Sequence, residues 1–166
     1  MTLTLEERFW AKVNKNGPVP EHAPELGPCH IWTKSTDTDG YGQISVDGRP
    51  VKAHIVAWKL AGRTRTPKHV LDHKCHRHEC VNVLHLREVT RSQNNQNYSG
   101  LSNHNTSGVR GVYRVRGKWR AYATVNGRKK SGPIRATKKE AAADVQEIRN
   151  QLHTHNDLDR QEANAS

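Results

Sequence analysis

The chain has 166 residues, of which 33% are hydrophobic, with one Phe, one Met and a formal charge of +11. So small an apolar inventory argues against one large core and for small units held by a metal or a partner. No apolar run approaches the ~20 residues of a membrane span. Residues 1–7 lack the basic-then-apolar layout of a signal peptide, and the three cysteines make no disulfide framework, so a reduced, cytoplasmic chain is expected.

In chain order, the first element is a helix opened by Thr4-Leu5-Glu6-Glu7. Here a Thr and a Glu three positions on cap each other's free amides, and Leu5, Phe9 and Val13 share a face. Pro18, Pro20, Pro24 and Pro28 mark a loop. Asp39-Gly40 and Asp47-Gly48 are turn signals around a short strand at 43–46. Residues 52–60 are apolar enough for a buried helix that ends near Gly62. Thr90-Arg91-Ser92-Gln93 opens a short polar helix that holds Asn94, and Thr137-Lys138-Lys139-Glu140 opens the last helix, with Ala141, Val145, Ile148 and Leu152 along one stripe. Residues 98–107 read as a polar linker, which gives an expected division into domains at 1–97 and 108–152 and a polar tail at 153–166.

The densest chemistry lies between Leu71 and Leu86. Cys75, Cys80 and His85 are spaced five apart, with Cys29 far upstream in Pro28-Cys29-His30-Ile31-Trp32. Three sulfurs and one imidazole complete a tetrahedral Zn²⁺ shell, and a closed shell is structural rather than catalytic. Zinc affinity then becomes folding free energy. Spacing alone leaves the fourth ligand open, because His30, His76 or His78 could replace Cys29. Asp72-His73 ends the strand-like Val70-Leu71, and Asn94 follows 21 residues after His73.

Asp72-His73, Asn82 and Asn94 together resemble the HNH (ββα-metal) nuclease motif. The pattern His73, Cys75, Cys80, Asn82, His85 is similar to the His-Cys box homing endonucleases. Phe9-Trp10-Ala11-Lys12-Val13, Cys29-His30-Ile31-Trp32, Gly40-Tyr41-Gly42, Ala53-His54 and Val89-Thr90 resemble flanking text of free-standing phage HNH endonucleases. The resemblance covers roughly residues 5–97. It departs at Val83, where the family usually has Pro, and at Gln93, where it often has an acid. It implies phosphodiester hydrolysis by in-line attack of water, with His73 as general base and with Asp72 and Asn94 holding one divalent cation, Mg²⁺ or Mn²⁺. Asn82 would fix the loop through backbone hydrogen bonds. His85 is assigned to the structural zinc rather than to catalysis. His54 stays open between a substrate contact and a core histidine.

Residues 109–139 hold 11 Lys and Arg and no acid, whereas residues 140–166 hold 2 against 6. A block so one-sided is a natural partner for a polyanion. Arg116-Gly117 and Asn126-Gly127 are turn candidates in an expected three-stranded sheet packed on the last helix. On the middle strand Trp119, Ala121, Ala123 and Val125 would face inward, and Lys118, Arg120, Tyr122 and Thr124 outward, with Arg114, Arg116, Arg128 and Lys130 as companions. Ser107–Tyr113, Lys118–Ala121 and Thr137–Ala142 resemble the AP2 DNA-binding domain. In that family the outward residues of the sheet contact DNA. A first turn one residue shorter than the family pattern leaves the register of Arg110, Arg114 and Arg116 open.

The expected architecture is α+β: a zinc-stapled ββα-metal nuclease domain followed by a small AP2-like antiparallel sheet and helix. The expected function is a metal-dependent endonuclease acting on double-stranded DNA, of phage homing or DNA-processing type. It has no membrane partner, and whether it is a monomer or a homodimer is left open. A second reading is a catalytically inactive HNH-fold DNA-binding regulator. The presence of Asp72, His73 and Asn94 together favours activity, and a sheet that reads duplex DNA argues against an RNA target.

Overall fold

The Thr4 capping box forms in full, with Thr4 Oγ1 accepting from the Glu7 amide at 3.2 Å and the Glu7 carboxylate accepting from the Thr4 amide at 2.8 Å. It opens α1 (Leu5–Trp10). The computed structural model describes residues 3–98 and 100–159, and packing separates the chain into units Met1–Val89 and Thr90–Ser166.

In the first unit α1 stops short of Val13. The Lys12 amide closes a tight turn on the Phe9 carbonyl, and Val13 begins β1 (Val13–Asn14), opposite Trp32 of β2 (Ile31–Trp32). The helical periodicity placed Val13 on α1; a β-branched residue with a cross-strand partner goes to the pleat instead. β3 (Gln43–Val46) and β4 (Arg49–Lys52) form a hairpin about Asp47-Gly48, whose φ values of 50° and 75° give the primed turn that matches strand twist. Lys52 is then the N-cap of α2 (Ala53–Leu60). This helix buries Ala53, Val56 and Ala57 against Phe9, Trp32 and Ile44, and Trp58 packs with Leu71 and Leu86. Those two leucines belong to the antiparallel pair β5 (Val70–His73) and β6 (Leu86–Val89), in which Asp72 lies opposite Arg87 and His73 opposite Leu86. The excursion between these strands carries Cys75, Cys80 and His85.

In the second unit Thr90 caps α3 (Arg91–Gln96) with the same reciprocal pair of bonds to Gln93. The strands β7 (Val112–Val115), β8 (Lys118–Val125) and β9 (Arg128–Arg135) form one antiparallel sheet in that order. Their turns, Arg116-Gly117 and Asn126-Gly127, both have positive φ at both positions. Ala121 and Ala123 pack on Ala141, Val145 and Ile148 of α4 (Lys138–Leu152). Pro133 sits on β9, an edge strand, where the lost donor costs least.

Two expectations about the connecting segments need correction. The first unit ends at Val89, so α3 packs with the second unit rather than closing a domain at residue 97. The reason lies in residues 153–159, read from sequence as the start of a tail. The Gln96 side-chain oxygen accepts from the amides of Thr154 at 2.9 Å and His155 at 3.3 Å, and Asn156 is 2% exposed. Residues 160–166, the rest of that expected tail, lie outside the described residues. Within the expected linker, Asn105 Nδ2 donates to the Val109 carbonyl at 2.9 Å, and buried Ser107 Oγ donates to the same oxygen at 2.9 Å.

Gly111 tests the packing of β8 on α4. Its φ is +78°, and a Cβ there would lie 2.5 Å from the Tyr122 carbonyl oxygen and 2.8 Å from Val145 Cγ2. Gly117 has the same φ and an open surround. In denaturant titration, Gly117→Ala should cost about 1–2 kcal/mol, the left-handed penalty alone. Gly111→Ala should cost more, because a backbone carbonyl must also move.

Candidate metal centre and nuclease site

Cys29, Cys75, Cys80 and His85 are all buried, and their ligand atoms lie within 4.8 Å of one another. In a tetrahedral shell with Zn–S of about 2.3 Å and Zn–N of about 2.0 Å, neighbouring ligand atoms stand about 3.5–3.8 Å apart. His85 Nδ1 is 3.5 Å from Cys29 Sγ and 3.6 Å from Cys80 Sγ. Its other nitrogen, Nε2, donates to the Leu26 carbonyl at 2.9 Å, which fixes the tautomer and turns the Nδ1 lone pair into the cluster. The thiols confirm that a cation suits this donor set. The hydrogen bond from Cys80 holds the Cys75 thiol down to about 4, so one anion is already accommodated. Cys80 is pushed up by sharing that bond, and burial and then the neighbouring charge push Cys29 up to about 11. A divalent cation removes the repulsion that keeps all three from ionising together.

Cys29, rather than a neighbouring histidine, is the fourth member of this cluster. His30 is half-buried, His78 is exposed and stacks on Tyr41 at 4.3 Å, and the His76 ring lies 5.0 Å from His22. Asn82 ties the two halves of the cluster together: its Nδ2 donates to the Pro28 carbonyl at 3.0 Å, and its Oδ1 accepts from the Leu84 amide at 3.1 Å.

His73 ends β5 beside this cluster, buried, with Nε2 2.9 Å from the Cys80 carbonyl oxygen. A carbonyl only accepts, so Nε2 carries the proton and Nδ1 is left as the basic nitrogen. Burial pushes the imidazole below its ordinary value, which keeps it in the neutral, proton-accepting form. Around it stand His54 at 5.0 Å, Tyr41 at 5.8 Å and His78 at 6.3 Å, measured between ring centroids. Asp72 Oδ2 accepts from Arg87 Nε and Nη2, both at 2.8 Å, so Arg87 orients the carboxylate from the facing strand. Asn94 is half-buried in α3, in the second unit.

Strand register revises the basic face. Val125 pairs with Arg128 and Ala123 with Lys130, so Arg128 and Lys130 leave the sheet on the side of the inward alanines. Arg114 pairs with Trp119, and its guanidinium lies 5.6 Å from that ring, again on the α4 side. On the opposite face Lys118, Arg120, Tyr122 and Thr124 are joined by Tyr113 and Lys129. Sequence alternation missed Lys129, whose ammonium lies 3.8 Å from the Tyr122 ring centroid and 4.8 Å from that of Tyr113. The two-residue turns carried the signal, because they dictate which residues face each other. Arg120 Nε donates to the Gly132 carbonyl at 2.8 Å, and half-buried Arg110 donates to the Gln96 carbonyl at 3.0 Å. Arg116 and Lys118 are exposed at the first turn.

Residues 51–96 match the family model described as HNH endonuclease. The matched segment runs from β4 through α2, β5, the Cys/His excursion and β6 to α3. It contains His54, Asp72, His73, Asn82, Asn94 and every proposed zinc ligand except Cys29, and it crosses the packing boundary at 89/90. It is shorter than the resemblance read from the sequence and does not reach the basic sheet. Neither the curated proteins nor the solved structures returned a match to the chain. Among the described residues, no helix is long and apolar enough to cross a membrane.

Elemental analysis of the purified chain should find about one zinc per molecule. Cys75→Ser should lose that zinc together with cooperative unfolding of the first unit, read from the emission of buried Trp32 and Trp58. A chelator should reproduce the effect in the parent chain; a zinc-free chain with an unchanged unfolding transition would refute the site.

Proposed function

We propose that the chain is a metal-dependent endonuclease acting on double-stranded DNA, with His73 as the general base. One observation carries this reading: within the segment that matches the HNH endonuclease family, a buried neutral imidazole has its Nε2 proton committed to the Cys80 carbonyl and its Nδ1 left to take a proton. In-line attack of water on the phosphorus passes the water proton to Nδ1 as the bond to the leaving oxygen breaks. As the resemblance implies, Asp72 and Asn94 would supply hard oxygen donors for one Mg²⁺ or Mn²⁺, which would neutralise charge developing on the phosphate. Arg87 keeps the Asp72 carboxylate in place. Cys29, Cys75, Cys80 and His85 would hold a structural zinc, which would brace the loop that presents His73 and leave the chemistry to His73.

The second unit is proposed as an AP2-like module that supplies DNA affinity through the outer face of its sheet. Lys118 and Lys129 meet phosphates there, beside Arg120, whose Nε is held by the Gly132 carbonyl, and Tyr113 and Tyr122 lie among them. A twisted antiparallel sheet with such a face is a shape that enters the major groove. One chain carries one such centre, so it nicks a strand, and a double-strand break needs a homodimer or two successive nicks. The setting that fits is a phage-type homing or DNA-processing nuclease in the host cytoplasm.

His73→Ala should lower Mg²⁺-dependent cleavage of plasmid DNA by about 10²–10⁴-fold while leaving DNA affinity within a factor of about 2. Cleavage at the parent rate would refute the base. If the parent chain binds duplex DNA and never cuts it, the inactive-regulator reading takes over.

A salt titration of DNA binding tests the register. Removing Lys118 and Lys129 together should reduce the slope of log affinity against log salt by about 1 per charge. The pair Arg128 and Lys130 should have a smaller effect; equal slopes for the two pairs would return the α4 side of the sheet to the interface.

A further inference from the structure

His54 occupies the first turn of α2, whose N-cap, Lys52, makes no side-chain cap. The residue is 5% exposed, its ring stands edge-on to His73 at 5.0 Å, and Tyr41 lies 5.2 Å away on another side. Yet its Nδ1, fully shielded from solvent, has no hydrogen-bond partner among the described residues. Leaving a buried polar atom unmatched is costly, and an apolar ring of the same size would avoid that cost. The atom is therefore placed for a group the protein does not supply.

The surroundings say what kind of group. Burial holds the imidazole down to about 3, so it stays neutral and offers an N–H. Beside His73 and His78, the groups that bear on it are the Lys52 ammonium, set 3.8 Å from the Tyr41 ring centroid, and Asp37, which is already paired with Lys52 at 3.3 Å. The start of a helix favours negative charge. An anionic oxygen beside the general base fits all of these features.

We propose that His54 is a further substrate-contacting residue: its Nδ1–H donates to a non-bridging oxygen of the phosphodiester on which His73 acts. This rests on His73 being the general base, and the test separates the two. The zinc-loaded full-length chain is titrated with inorganic phosphate at constant ionic strength while the imidazole proton resonances are followed. Plasmid cleavage with Mg²⁺ is measured alongside for the parent, His54→Phe, His54→Asn and His54→Gln.

Phosphate should shift the His54 and His73 resonances of the parent, and the His73 shift should vanish in His54→Phe. Cleavage should fall about 100-fold in His54→Phe, as for loss of one preorganised donor. It should be largely kept in His54→Asn, whose amide nitrogen takes the place of Nδ1, and lost in His54→Gln, whose amide takes the place of Nε2. Should His54→Phe fail to hold zinc, the Asn and Gln pair decides. No phosphate-dependent shift in the parent overturns the proposal, as do equal effects in Asn and Gln or parent-level cleavage by His54→Phe. A parent chain that binds phosphate at His54 but never cuts DNA removes the nuclease reading and leaves the anion site standing.

Discussion

The peptide unit of Cys80 joins the two chemistries of the first unit. Its thiol lies 3.6 Å from His85 Nδ1 inside the Cys/His cluster, and its carbonyl oxygen, 2.9 Å from His73 Nε2, selects the tautomer of that imidazole. Neighbouring backbone extends the brace: the Trp32 amide donates to the Glu79 carbonyl at 2.9 Å and the Val81 amide to the His30 carbonyl at 2.7 Å. The loop is thus stitched to β2, the segment that follows Cys29. Any disturbance of the sulfur cluster reaches the tautomer of His73 through a single residue.

That dependence follows from how little the first unit can bury. Its strands pair only two by two, and an isolated two-stranded hairpin is marginal in water. The apolar side chains gather into separate clusters around Phe9 and Trp32 and around Trp58 and Leu71, with the sulfur cluster as a third. Neither apolar cluster has the size to hold residues 70–89 in register by itself. A metal held by Cys29, Cys75, Cys80 and His85 would close the long loop between them, and its binding energy would substitute for the missing core.

How much of this was legible in the sequence depended on range. The three capping boxes and the primed turns form where the sequence pattern places them, because each is decided within a few residues. The chemistry of the Cys/His cluster was legible as well, but the choice of Cys29 over His30 was not. It turns on which of two adjacent side chains meets a loop 46 residues or more away in sequence. Val13 left its helix for a partner on β2, and residues 153–159 left the expected tail for the amide side chains of α3. Both outcomes were set by contacts that local periodicity does not encode. The error on the basic face was of another kind. Alternation along β8 was read correctly, but it was carried onto β7 and β9 by composition instead of through the turns.

Charge counting overstates what the second unit offers a polyanion. Of the basic residues in 109–139, Arg135 is held at 2.7 and 2.8 Å by Asp144, and Lys138 Nζ donates to the Ser107 carbonyl at 3.1 Å. Arg110 and Arg120 bond to carbonyls of their own unit. The Arg135–Asp144 pair, screened by solvent on the arginine side, adds little to stability, yet it withdraws a cation from the surface field. Of the seven that remain, strand register puts Arg114, Arg128 and Lys130 on the helix side and Lys118 and Lys129 on the other, while Arg116 lies in the first turn and Lys139 on α4. One face of the sheet therefore presents fewer unpaired cations than the net charge implies, and on the outer face the Tyr113 and Tyr122 rings set the position of Lys129.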